Sequence, residues 1–389
     1  MIYDFDKIIK REATKSVKWK LKHKDVIPMW VADMDFEVPE EIVNAIKERA
    51  AHKIYGYTEA EDEYYDSIIS WWKYRHNYNI KKEWINYSPG VVPSVNMLIR
   101  AFANAGDKVL VQTPVYYPFF SAVKNNGCEI VENPLKRIDN KYFMDFDDLE
   151  RKLEDPKVTV FILCSPHNPV GRVWTKEELT KLGELCLKNK VTVIADEIHC
   201  DLIYKQYKHV PFPSICEEFQ EICALCTAPS KTFNIAGLQV SSVIIPNEIL
   251  RKKFEKVLEA DGILGPNIFA IEALEAAYNY GAPWLEQLID YLEQNMKYLL
   301  EYINEQIPKL KVIQPEGTYL VWLDCSSLEL NPEELHKFFL EKANIWLDEG
   351  YIFGNGGEKF ERINIACPRS VLKEALNRMG KAIAMLDEK

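Results

Sequence analysis

The chain has 389 residues, 47% of them hydrophobic and 28% charged, a balance that suits a soluble globular protein of two or three domains with a core large enough to need no disulfide or metal staples. Its 59 acidic residues outnumber 48 basic ones, for a net charge of −11, which speaks against a nucleic-acid footprint or an anionic membrane surface but not against a local anion site. No stretch approaches the roughly 18 uninterrupted apolar residues of a membrane span, Met1 to Lys24 holds no apolar export core, and nine scattered cysteines predict free thiols in a reducing cytoplasm.

In chain order, apolar spacing predicts helices over 37–52, with Pro39 in the first turn, over 61–76 and over 93–104. Strand-like runs follow at 108–112, 129–132, 158–164, 191–195, 222–227 and 240–245, with helices at 118–126 and 176–189 between them. Nearly continuous apolar strands with helical crossovers predict an α/β fold, a mostly parallel central sheet with helices on both faces. The last third changes character. Helices at 251–261, 266–280 and 284–306 precede strands at 311–314, 317–324 and 362–365, with a helix at 332–343 and a last one at 369–387. This reads as a smaller α+β domain. The expected division is a large domain at 50–283 and a small one made of 1–49 and 284–389.

Several chemistries lose ground at once. There is no phosphate-binding GxxxxGK[ST] loop, no GxGxxG after a strand, no HExxH and no GxSxG. The seven histidines show no metal-ligand spacing, and no metal is expected. Cys223 and Cys226 form a lone CxxC in apolar surroundings, which alone is a weak metal or redox signal.

Three short segments stand at the ends of predicted strands: 165–169 with Asn168, 195–199 with Asp196, and 228–232 with Lys231. Ligands of an open α/β sheet sit outside the carboxyl ends of its strands. Singly, each residue has an ordinary reading as a surface lysine, a cap or a turn. Together, an amine, a carboxylate and an amide suit pyridoxal 5'-phosphate. Lys231 condenses with the aldehyde, Asp196 pairs with the pyridine nitrogen, and Asn168 donates to the ring hydroxyl oxygen. The phosphate needs a cradle. Gly90, Val91 and Val92 precede a helix expected to start near Pro93, where free N–H groups meet the positive helix end. Ser230 adds a hydroxyl, and Tyr116 can lay its ring on the pyridine face.

These intervals resemble those of the aspartate-aminotransferase-like (fold type I) pyridoxal-phosphate enzymes over essentially the whole chain. Two longer strings, 29–36 (MWVADMDF) and 230–239 (SKTFNIAGLQ), resemble the MalY/PatB group of cystathionine β-lyases. The resemblance implies a C–S β-lyase that eliminates a thiol from cystathionine or cysteine-type amino acids, giving pyruvate and ammonia with Lys231 as the catalytic base. It implies that Arg369, in the segment 362–369, holds the substrate carboxylate, with Tyr116 also against the substrate. It implies that Tyr57 reaches the phosphate of a neighbouring subunit in a homodimer with shared sites. Many aminotransferases place a tyrosine where His199 stands beside the cofactor, and an arginine where Gln239 stands. Both departures fit the lyase group. A pyridoxal-phosphate aminotransferase is the alternative.

Overall fold

The computed structural model describes residues 2–20 and 25–387; residues 1, 21–24 and 388–389 of the expected small domain lie outside them. Seven strands build the main sheet: β1 (Ile85–Ser88), β2 (Lys108–Val111), β3 (Glu129–Glu132), β4 (Val158–Cys164), β5 (Thr192–Asp196), β6 (Cys223–Thr227) and β7 (Ser241–Ile244). Their order is β1-β7-β6-β5-β4-β2-β3. Only β7 is reversed, antiparallel to β1 and β6, while the other pairs are parallel. The mostly parallel sheet is as the apolar runs predict. β1 was not predicted, because its four residues include Asn86 and Ser88 and show no apolar run.

Successive strand residues point to opposite faces, and the sheet separates two cores accordingly. Phe161, Leu163, Val193, Ala195 and Leu225 enter one; Val160, Ile162, Ile194 and Ala224 enter the other. Helices Val91–Phe102, Pro118–Asn125 and Glu248–Ala260 cover the second face, and Lys176–Lys188 packs Leu179, Leu182 and Cys186 onto the first. The same alternation disposes of the CxxC. Cys223 lies in one core and Cys226 in the other, so the two thiols cannot share a ligand or a bond. All nine cysteines are free.

The C-terminal third holds the long helix Ala282–Gln306 and four antiparallel strands. These are β8 (Lys311–Ile313), β9 (Leu320–Asp324), β10 (Asp348–Glu349) and β11 (Phe360–Asn364), in the order β8-β9-β11-β10. β9 starts later than the apolar pattern suggests, since Thr318 has a φ of 70° and cannot extend a strand. The helix expected over 332–343 is α-helical at Pro332–Lys337 and continues as a π-turn over Phe338–Lys342. Helix Phe146–Leu153 and the strand pair Lys136–Ile138 with Lys141–Phe143 are further elements that apolar spacing did not suggest. Near the N-terminus, Ile27–Pro28 pairs in parallel with Ile345–Trp346, tying the first residues to the C-terminal unit. Helix Glu40–Ala51 instead packs against Ile268–Tyr280. The division at residue 50 stands as a proposal, to which this packing adds 40–51 to the larger unit. No helix among the described residues is long and apolar enough to cross a membrane.

Candidate active site

The registers of β4, β5 and β6 set Cys164 beside Asp196 and Asp196 beside Cys226. Three carboxyl ends are therefore level, and the ladder runs one step further, through Ser165 N to Asp196 O and Glu197 N to Cys226 O, both at 2.9 Å. The loops leaving these ends bring Asn168, Asp196 and Lys231 around one cavity of about 190 Å³. Gly90, Val91, Val92, Tyr116, His199 and Ser230 line it too, with Ala32 and Gln239. The turn that carries Lys231, Pro229–Thr232, is held from behind, since Thr232 Oγ1 donates to Asp201 at 2.9 Å and Asp201 also accepts from His76 and Trp71.

Burial decides the charge states. It pushes the Asp196 carboxyl up to about 7, against a backbone N–H from Ile198 at 3.1 Å and the nearby Lys231. It pushes the Lys231 amine down to about 8, with Asp33 and Asp196 opposing and Arg362 adding to the fall. Lys231 Nζ donates to the Ala32 carbonyl at 2.7 Å. Burial, with Lys231 and Arg362 as like-charged neighbours, also pushes His199 down to about 3. His199 is thus a neutral imidazole, edge-on to Tyr319 and with no partner on Nδ1. The Tyr116 phenol is raised by burial and stays neutral.

These residues fit pyridoxal phosphate on their own chemistry. Asp196 is a buried carboxyl with a single hydrogen bond, in want of a protonated nitrogen. The helix Val91–Phe102 starts two residues earlier than expected, with Gly90 as an N-cap that supplies no side-chain bond and Pro93 without an N–H. The N–H groups of Val91 and Val92 therefore sit in the helix's first turn with no side-chain cap, beside the cavity, a setting suited to an anion. Gly90 is extended, and a Cβ there would meet only the Pro93 ring at 3.5 Å, so it leaves room at the cavity rather than relieving strain. Asn168 Oδ1 accepts from Arg362 Nη1 at 2.9 Å, which leaves Asn168 Nδ2 as the group able to donate to the ring.

The string 29–36 meets the cavity at Ala32. Asn234, itself at a φ of 58°, accepts from Met34 N at 3.1 Å and donates to the Met34 and Phe36 carbonyls at 3.1 and 3.0 Å. Asn364 Nδ2 donates to the carbonyls of Val31 and Asp33 at 2.7 and 2.9 Å. Asp35, buried at the end of the string, is held by Lys18 and Arg11 at 2.7 Å each and by Trp19 Nε1 at 2.9 Å. The strings 29–36 and 230–239 thus meet in space.

Two expected residues lie outside the cavity. Tyr57 is fully exposed on the single chain. Arg369 requires a correction: it opens the last helix, its Nε donates to Asn295 Oδ1 at 2.6 Å, and its guanidinium lies over the Tyr298 ring. The arginine that touches the site is Arg362, 2% exposed, which does not line the cavity itself but bonds its lining residue Asn168 through Nη1 at 2.9 Å, with Nη2 on the Trp30 carbonyl at 2.8 Å and on Asp348. Strand alternation was the available signal. Arg362 and Asn364 share one face of β11, while Ile363 and Ile365 fall in the core.

The chain belongs to the aminotransferase class I and II family, whose model matches residues 24–379. Within it, the chain is similar to cystathionine beta-lyase PatB of Bacillus subtilis (strain 168), 47% identical over 98% of this chain and 100% of that one. It is also similar to protein MalY of Escherichia coli (strain K12), 33% identical over 98% and 99%. Among solved structures, cystalysin from Treponema denticola, which contains pyridoxal 5'-phosphate, superposes with a TM-score of 0.97 at 40% identity, covering 99% and 100% of the two chains.

The buried amine predicts a pH signature. With the cofactor removed, trinitrobenzenesulfonate labelling of Lys231, followed by peptide mapping, reaches half its limiting rate near pH 8, because the neutral amine reacts. A solvent-exposed lysine requires a pH about two units higher.

Proposed function

We propose that this chain is a pyridoxal-phosphate-dependent C–S β-lyase that cleaves cystathionine and related cysteine-type amino acids. The convergence of Lys231, Asp196 and Asn168 on one cavity, with Lys231 bonded to Ala32 of the string 29–36, carries the reading, and the full-length likeness to a cystathionine beta-lyase supports elimination over transfer. When bound, the cofactor supplies an aldehyde to capture the substrate amine and a ring to take up electrons from Cα. The chain does the rest. The Val91 and Val92 N–H groups and the Ser230 hydroxyl would hold the cofactor's phosphate, Asp196 would pair with its pyridine nitrogen, and Tyr116 and His199 would flank its ring. Arg362 takes the α-carboxylate. Lys231 Nζ, neutral in a large fraction of molecules near pH 8, removes the Cα proton. The thiol then leaves from Cβ. For cystathionine plus water the products are homocysteine, pyruvate and ammonia.

An aminotransferase uses the same lysine and is the second reading, favoured by the family as a whole. Gln239 weighs against it, as an uncharged residue beside the phosphate cradle. A homodimer with Tyr57 completing the neighbour's phosphate site is part of the proposal, supported by the exposed Ile54, Tyr55 and Tyr57. So is a reducing, cytoplasmic setting, supported by nine free thiols.

Incubation of the holoenzyme with cystathionine alone is expected to release pyruvate and free thiol. Lys231→Ala is expected to abolish that release, and retention of activity in this variant ends the proposal. Amino transfer to an added keto acid without pyruvate release selects the second reading. Arg362→Ala is expected to lower kcat/KM by roughly 30-fold or more, the cost of losing one partner of a buried charged pair. Arg369→Ala is expected to leave it little changed; steady-state kinetics separate the two. Mixing unfolded Lys231→Ala and Tyr57→Ala chains and refolding them together with cofactor is expected to restore activity above that of either variant alone, since one site of each mixed dimer is intact. A mixture no more active than its parts removes Tyr57 from a shared site.

A further inference from the structure

The arginine assigned to the substrate carboxylate already has a carboxylate partner. Asp348 on β10 is the cross-strand neighbour of Arg362 on β11, so sheet register, rather than a loose rotamer, holds the pair together. Both side chains are 2% exposed, and Asp348 Oδ2 accepts from Arg362 Nη2. Nη1 also donates to Asn168 and Nη2 to the Trp30 carbonyl, while Nε is buried with no partner. An incoming α-carboxylate therefore meets a cation that is already neutralised, in a place with little water to screen a second anion. We propose that Asp348 is a resident counter-ion with which the substrate's α-carboxylate competes at Arg362, so that amino-acid binding is coupled to protonation of Asp348. This rests on the reading that Arg362 receives the substrate.

The surroundings favour such coupling. Glu349, next on the strand, pairs with His336 at 3.2 Å and adds negative charge beside Asp348. Glu361, on β11 and fully buried, is kept protonated by burial, with Glu349 and Asp348 adding to the rise, and does not compete for the arginine. Tyr116 and Tyr117 approach from the main sheet's side as neutral phenols. Burial, against the pull of Arg362, already brings the Asp348 carboxyl to about 6. A second carboxylate at Arg362 raises it further. Binding then takes up a proton near neutrality, tightens as pH falls through 7 toward 6, and weakens as pH rises until Asp348 is charged with and without ligand. The counter-ion has a use in the free enzyme: it spares Arg362 from being buried unpaired and holds it beside Asn168 at the cavity. Asp348 is thus a positioning residue that also sets affinity.

The test uses the holoenzyme and glycine, an amino acid with no β-carbon to lose a group from. Calorimetric titration at pH 7 in two buffers of different ionisation heat counts protons taken up on binding. The native enzyme is expected to take up more than Asp348→Asn. With cystathionine, Asp348→Asn is expected to lower KM at pH 8 by up to about tenfold for each unit by which substrate raises the Asp348 carboxyl, and to flatten the KM–pH profile between 6 and 8. Equal proton uptake in the two enzymes, or a raised KM on an unchanged profile, overturns the proposal. Should Asp348→Asn fail to fold, Glu349→Gln serves: removing the neighbouring charge is expected to move the midpoint of the native profile to lower pH, and an unmoved midpoint overturns it. An enzyme that binds glycine with this proton uptake yet does not cleave cystathionine contradicts the lyase reading and not the role of Asp348.

Discussion

Everything at this site depends on one alignment, the hydrogen-bonded register that sets the carboxyl ends of β4, β5 and β6 at the same height. It delivers an amide, an acid and an amine from distant parts of the chain to one small cavity, without any of the three loops having to be long. The covered sheet also fixes the electrostatics. Both faces carry cores, so the groups at its edge are largely dehydrated, and burial moves the Asp196 carboxyl and the Lys231 amine toward each other in pH, to about 7 and about 8. A carboxyl and an amine in solution titrate some six units apart. Here a single dehydrated setting keeps both poised near neutrality, which is the condition for an amine to act as a base and for a carboxyl to respond to a ring nitrogen.

The second element is the N-terminal string. Beyond its backbone bonds to Trp346, Asn364 and Ala366, side chains hold it: Asn234 from the loop after Lys231, Asn364 and Arg362 from β11, and Arg11, Lys18 and Trp19 on Asp35. Backbone groups that lie near a cavity must find partners, and amide side chains, with a donor and an acceptor each, are suited to supply them. The C-terminal strand β11 thus reaches the string and Asn168 at the rim of the cavity, and the same arginine that clasps the string holds Asn168.

Much of this was legible in the sequence because it lies on strand ends. β4, β5 and β6 are nearly continuous apolar runs, and the polar residue that follows such a run is placed by the fold itself, which is why Asn168, Asp196 and Lys231 could be named together. The cradle was legible in position but not in detail: the helix begins at Val91, since a proline two residues later suits a first turn as well as a boundary. Arg369 misled because the segment 362–369 carries two arginines and a family resemblance does not by itself say which faces inward; the period-two pattern of β11 does. β10 is only two residues long, below what any pattern in sequence can register, and with it the pairing of Asp348 with Arg362 was invisible. The role proposed for Tyr57 would involve a second copy of the chain, for which one sequence offers resemblance and no geometry.

The central claim is that the lysine after β6 is the one joined to the cofactor. Borohydride reduction of the holoenzyme, followed by tryptic digestion and mass spectrometry, measures this directly. The reduced cofactor's mass on the peptide that contains Lys231 is the predicted result. Its appearance on another lysine, or a reduced enzyme with no added mass, contradicts the account.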